Sequence, residues 1–200
     1  MGILKFLRRK FMRIKKTRYG KQAFILSLQP GDRCLDVGCG NDSAFYHKSI
    51  SPKTKYVGVD ISEYNTHSKS KDLMNEYYIV EDPEQFAEGI RNIPGDFDAV
   101  ISSHNIEHCN KPLETLVSIC EKLKIGGKLF LAYPSPNTVD FPSRKGTLNF
   151  YDDSTHIWLP DTDEILRILN KCGMRICFKS IGYKPLYYRI MGGYLNLIVA

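Results

Sequence analysis

The feature that leaves this chain least freedom is a short apolar run that carries one acid and then breaks on two glycines, Leu35-Asp36-Val37-Gly38-Cys39-Gly40. A buried strand that turns on glycines lets the backbone approach a ligand with no Cβ in the way. A second apolar run ends on Asp60, 24 residues beyond Asp36. A carboxylate there can accept hydrogen bonds from both hydroxyls of a ribose. A glycine loop paired with a distal acid is what a nucleoside-containing cofactor requires, and it is far more specific than a lone glycine pair.

The rest of the chain supplies an alternating frame around that pair. Strand-like runs are predicted at residues 33–37, 56–60, 77–80, 97–103, 128–133 and 174–181, with residues 194–199 a candidate for the last. Helical patterns are predicted at residues 22–28, 83–91, 111–123 and 161–171. The last of these opens on an Asp161–Glu164 capping box and has Gly173 just past its end. Strands alternating with helices imply a mainly parallel sheet covered on both faces. Residues 134–160 break the rhythm with four prolines and no period. Long loops of that kind in compact domains are usually functional.

Charge narrows the partners. The formal charge is +6, but residues 1–31 hold nine of the 28 basic residues and none of the 22 acids, which leaves the remainder at −3. A general attraction to nucleic acid is therefore a poor reading. Residues 3–16 place Leu4, Leu7, Phe11 and Ile14 at helical spacing among Lys and Arg, a basic amphipathic helix suited to cap a cleft or to touch an anionic membrane surface. No stretch is long and apolar enough to span a bilayer, and a cytoplasmic, at most membrane-peripheral, protein is expected. The domain organisation expected is a basic helical extension over residues 1–24 and one domain over residues 25–200, with a substrate loop at 134–160.

Electrostatics favour one cofactor class over another. A dinucleotide fingerprint wants a third glycine near Ser43, whereas the run continues Asn41-Asp42-Ser43. An acid at Asp42 would repel a pyrophosphate, and Asp36 suits a cationic ligand. S-adenosylmethionine carries a sulfonium and an ammonium and no phosphate, so it fits better than NAD.

Taken in order, these segments resemble the class I S-adenosylmethionine-dependent methyltransferases of the type-11-like kind. Residues 35–40 resemble their first motif, and Tyr56-Val57-Gly58-Val59-Asp60-Ile61-Ser62 their second-strand acid. Phe97-Asp98-Ala99-Val100-Ile101-Ser102-Ser103-His104-Asn105-Ile106-Glu107-His108 resembles the fourth-strand segment, and residues 123–131 the loop and fifth strand. The likeness covers about residues 25–182. Residues 148–156 are similar, more weakly, to bacterial members encoded with cell-surface glycan synthesis. The resemblance implies a Rossmann-like three-layer α/β sandwich with a seven-stranded, mostly parallel sheet whose last strand is antiparallel. It implies that Asp36, Gly38 and Gly40 line the methionine end of S-adenosyl-L-methionine and that Asp60, followed by Ile61, holds the ribose. Glu81 or Asp82 would sit near the adenine, and Ser103 and His104 would border the sulfonium and the acceptor.

Two readings compete at the end of the fourth strand. His104-Asn105-Ile106-Glu107-His108 matches a bare H-x-x-E-H zinc pattern, but that pattern needs a long helix, and a strand runs into His104. No metal site is therefore assigned, neither there nor at Cys34/Cys39 and Cys172/Cys177. His108 is as fit for a structural role as for a catalytic one. His104 and His156 are the candidate general bases, since a neutral imidazole can take the proton of an acceptor hydroxyl. Asp152 and Asp153 are candidate substrate ligands. The absence of an Asn/Asp-Pro-Pro-aromatic turn after Ser103 lowers the prior for base methylation and leaves O-methylation of a small or glycan-type acceptor ahead. The alternatives are a non-catalytic partner or regulatory protein that keeps the fold and, behind it, an NAD-type oxidoreductase.

Overall fold

The computed structural model describes residues 20–140, 143, 149–181 and 195–199. The expected basic helix at residues 3–16 lies outside them.

Seven strands form one sheet: β1 (Arg33–Val37), β2 (Lys55–Asp60), β3 (Glu76–Ile79), β4 (Phe97–Ser103), β5 (Leu123–Pro134), β6 (Phe178–Ile181) and β7 (Leu195–Val199). Their order is β3-β2-β1-β4-β5-β7-β6. The first five pair in parallel, and β7 runs antiparallel to both β5 and β6. The arrangement is a Rossmann-like α/β sheet, mostly parallel, with β1 and β4 adjacent at its centre. Helices α1 (Lys21–Leu26), α2 (Ser43–Ile50), α3 (Ser68–Lys71), α4 (Phe86–Asn92), α5 (Pro112–Glu121) and α6 (Thr162–Lys171) connect the strands.

Alternation along the strands divides the core into two layers. Leu35, Val37, Val57, Val59, Val100, Leu129 and Leu131 meet Phe86 and Ile90 of α4, Leu116 and Ile119 of α5, and Ile165 and Leu169 of α6. On the opposite face, Cys34, Ala99, Ile101, Phe130 and Ala132 meet Phe24 and Ile25 of α1. Each of the larger side chains among these, Val, Leu, Ile or Phe, contributes roughly 1.5–3 kcal/mol by leaving water. The N-cap of α6 is Asp161, whose carboxylate accepts from the N–H groups of Asp163 and Glu164.

Strand bounds differ from expectation by more than one residue in two places. β5 begins at Leu123, before the glycine pair, because Gly126 at φ +79° lets the strand turn and resume pairing with a shifted register. β6 is shorter than residues 174–181, since only Phe178–Ile181 finds a partner in β7. The irregular stretch after β5 contains, among its described residues, two short 3-10 helices, Pro136–Asp140 and Phe150–Asp152.

Candidate functional site

The carboxyl ends of β1, β2 and β4 meet where the first glycine loop leaves the sheet. Gly38 has φ +75°, and a Cβ placed on it would stand 2.5 Å from the Asn105 side-chain oxygen. A Cβ on Gly40 would meet the Tyr64 carbonyl at 2.9 Å. The loop is therefore shaped by close approach, not only by turning. Its end is clasped to β2, because the Gly40 N–H donates to Asp60 Oδ2 at 2.9 Å and the Ile61 N–H to Oδ1 at 2.8 Å. Burial raises the Asp60 carboxyl, and these two backbone bonds pull it back. Ile61 itself is exposed.

Asp36 is fully buried. Its Oδ2 accepts from the Tyr56 hydroxyl at 2.9 Å and lies 3.6 Å from Lys21 Nζ. Its Oδ1 has no hydrogen-bond partner among the described residues. Burial raises this carboxyl most, while Lys21 and Tyr56 lower it. Neither Tyr56 nor Lys21 stands out in the sequence as a partner for this acid.

Asp42 turns out to be engaged elsewhere. It sits at the N-cap of α2 in the left-handed region but caps nothing. Its carboxylate accepts from the His67 N–H at 2.9 Å and meets His67 Nδ1 at 2.6 Å, bonds that lower its pKa. Of the pair after β3, Glu81 is exposed and Asp82 accepts from the Glu84 N–H, capping the turn Pro83–Gln85.

At the end of β4, Ser103 is half-buried and His104 takes φ +55°. Its N–H donates to the Ala132 carbonyl at 2.8 Å, which pins the turn to β5. The chain then makes only a 3-10 turn, Ile106–His108, so no helix carries His104 and His108 on one face. Glu107 in that turn is fully buried, 3.3 Å from His104 Nδ1, and neither carboxylate oxygen makes a hydrogen bond among the described residues. Its carbonyl accepts from the N–H groups of Ile157 and Trp158, which docks the long loop on the turn.

That docking brings His156 to the same carboxylate. The His156 and His108 rings are 4.7 Å apart, and ligand atoms of Glu107, His108 and His156 all lie within 4.8 Å of one another. The structure thus gathers His104 and His156 around Glu107, which the sequence offers only as the acid of the H-x-x-E-H pattern, with no site role assigned to it. Its surroundings, His104-Asn105-Ile106 and His108, are mostly polar, so nothing local in the sequence marks it as buried. Asp153 accepts from the N–H and hydroxyl of Thr155 and lies 3.8 Å from His156 Nε2; the Thr155 hydroxyl bond holds its carboxyl low. Asp152 accepts from the Ser143 hydroxyl at 2.6 Å.

A buried carboxylate oxygen with no hydrogen bond, a glycine cradle that a Cβ would fill and a clasped acid at the end of β2 suit a cofactor with an ammonium group and a ribose. Comparison with known proteins agrees. A family profile described as "Methyltransferase domain" matches residues 5–177. An uncharacterized 37.1 kDa protein in transposon TN4556 of Streptomyces fradiae is 26% identical over 124 residues, covering 58% of this chain and 35% of the relative. The ubiquinone biosynthesis O-methyltransferase of Dechloromonas aromatica (strain RCB) is 29% identical over 106 residues, 51% of this chain and 44% of the relative. The chain thus spans less than half the length of these curated relatives. Among solved structures, magnesium protoporphyrin IX methyltransferase from Synechocystis PCC 6803 with bound SAH superposes with a TM-score of 0.61 at 16% identity. That match covers 89% of this chain and 78% of the other, and at such identity it speaks for the fold.

Proposed function

Because the chain belongs to the methyltransferase-domain family, whose methyl donor is S-adenosylmethionine, we propose that it methylates an oxygen of a small or glycan-type acceptor. When bound, the donor supplies a methyl group on a sulfonium that leaves as a neutral thioether. Asp60 would hold the ribose hydroxyls, its orientation already fixed by the Gly40 and Ile61 N–H groups. Asp36 Oδ1 would accept from the ammonium, satisfying a buried oxygen that otherwise has no hydrogen-bond partner among the described residues.

The observation that carries the choice of oxygen is the His104–Glu107 pair. A hydroxyl nucleophile needs a base, whereas many carbon and sulfur acceptors do not require one in this form. Glu107 lies beside His104 Nδ1, so Nε2 is the nitrogen left to take the acceptor proton. The left-handed turn sets that ring at the carboxyl end of β4, where ligands of open α/β sheets bind. Ser103, Asp152 and Asp153 remain candidates to border the cofactor and the acceptor. The same reading keeps the enzyme in the cytoplasm, with the basic segment before Lys21 offered to an anionic membrane surface.

Calorimetry with S-adenosylmethionine tests the cofactor, with saturable binding expected for the wild type and at least about tenfold weaker binding for Asp60→Ala. Identical behaviour of the two, or binding of NAD in its place, overturns the assignment. Formation of the demethylated thioether with a panel of nucleotide sugars and lipid-linked glycans tests the acceptor. If turnover occurs only with amine or thiol acceptors, the oxygen reading fails.

A further inference from the structure

We propose that Glu107, His108 and His156 form a binding site for one divalent first-row transition ion, of the zinc, manganese or iron kind. The chain has five histidines. His47 is buried against Thr54, and His67 is tied to Asp42. The other three, His104, His108 and His156, gather on the buried carboxylate of Glu107.

The orientation of two of these rings is set by their outer nitrogens. His156 Nδ1 lies 2.6 Å from the Phe150 carbonyl. A carbonyl can only accept, so Nδ1 carries the proton and Nε2 presents its lone pair. His108 Nδ1 lies 3.1 Å from the Thr155 carbonyl, which fixes its tautomer in the same way. An imidazole that donates one N–H to a backbone carbonyl and turns the other nitrogen inward is the usual outer-shell arrangement of a metal-ligating histidine. Phe150 packs at 4.6 Å on the His156 ring and holds it in place.

Glu107 supplies the second, independent observation. A fully buried carboxylate with no hydrogen bond to either oxygen is costly unless a cation meets it. His104 Nδ1 stands 3.3 Å from Oε1 without forming a hydrogen bond. Metal–ligand bonds of about 2 Å require the donors to draw in from their present spread. The turn and the loop that carry them are already joined through the Glu107 carbonyl. Two imidazoles and one carboxylate suit zinc, manganese or iron better than magnesium or calcium, which prefer all-oxygen sets. Three protein ligands leave positions open for water or an acceptor oxygen, whose proton the ion would make easier to remove.

The full chain, stripped with a chelator, is titrated with Co2+ while visible absorption and heat are recorded. One saturable equivalent, displaced by Zn2+, is expected. Affinity should fall at least about 100-fold in Glu107→Gln and in His156→Ala, while His67→Ala binds as the wild type does. Circular dichroism shows whether each variant is folded, and His108→Gln, at a half-exposed position, serves if Glu107→Gln does not fold. No saturable equivalent, a band that survives both ligand variants, or a band lost in His67→Ala overturns the site. The titration needs neither methyl donor nor acceptor, so its failure is distinct from failure of methyl transfer.

Discussion

The two ends of the cleft are built on opposite plans. At the cofactor end, β1 and β2 are adjacent, their register fixed from Arg33↔Lys55 to Val37↔Val59, and backbone N–H groups of Gly40 and Ile61 hold Asp60. At the acceptor end, side chains from residues 104–108 and 150–156 converge across nearly fifty positions of chain, and Glu107 is left without a hydrogen bond among the described residues. The first end is held by main chain and tolerates no added Cβ. The second is held by a docked loop and exposes its chemistry to whatever arrives.

The comparison can be broken most sharply at His104. His104→Asn keeps a residue type that accepts positive φ while removing the imidazole. Turnover should fall about 1,000-fold, roughly 4 kcal/mol, with the S-adenosylmethionine Kd unchanged. Single-turnover rates beside calorimetry decide it, and a loss shared equally by binding and turnover would mean that the two ends are not separate.

His47, behind the glycine loop, tests how acid affects the cofactor end. Thr54 gives its only hydroxyl proton to the Ser51 carbonyl, so His47 Nε2 donates to Thr54 and Nδ1 is a buried acceptor without a partner among the described residues. Burial, with Lys21 and Lys48 nearby, pushes this imidazole down to about 4. The folded value lies below the unfolded one of about 6.5, so the stabilising contribution is complete above pH 6.5, fades as pH falls, and is gone below pH 4. About 3 kcal/mol should be lost over that window, an order-of-magnitude figure, and urea unfolding of the wild type against His47→Gln at both limits measures it. Parallel loss in the two proteins would assign the acid sensitivity to other groups.

Gly38→Ala sharpens the claim that close approach shapes the loop. The new Cβ would press on Asn105, and the left-handed backbone adds about 1–2 kcal/mol of strain. S-adenosylmethionine affinity should fall about 100-fold, roughly 2.7 kcal/mol. The smallest effect is away from both ends. Asp161→Ala removes the α6 cap and should lower stability by about 1 kcal/mol with turnover intact, as a thermal melt and an activity assay would show.

The same contrast explains what the sequence could reveal. The bounds of β1 and β4 follow from mainly apolar runs between turn residues, each carrying one acid, Asp36 and Asp98, and Asp60 follows from its place at the end of another such run. Helix α2 gives no apolar stripe because its buried positions are Ala44 and His47, and a buried histidine reads as a polar residue. Helix α3, Ser68-Lys69-Ser70-Lys71, has no apolar residue at all and is held by its hydrogen bonds. The Glu107 cluster could not be read because its members meet only when Ile157 and Trp158 dock on the turn, a contact with no local periodicity. Asp42 argues against a pyrophosphate ligand, but its own partner, His67, lies 25 residues away and could not be read for a similar reason.

The placement of β7 between β5 and β6 carries a consequence for assembly in time. Among the described residues β6 pairs only with β7, so it has no strand to dock on when it emerges during synthesis. Until residues 195–199 arrive, the edge of β5 from Phe130 to Pro134 stays open, a row of unpaired backbone groups next to buried apolar side chains. The half of the sheet that holds the glycine loop can form early, and the nascent chain passes through an interval in which its ligand-binding half is complete while its flank is still adhesive.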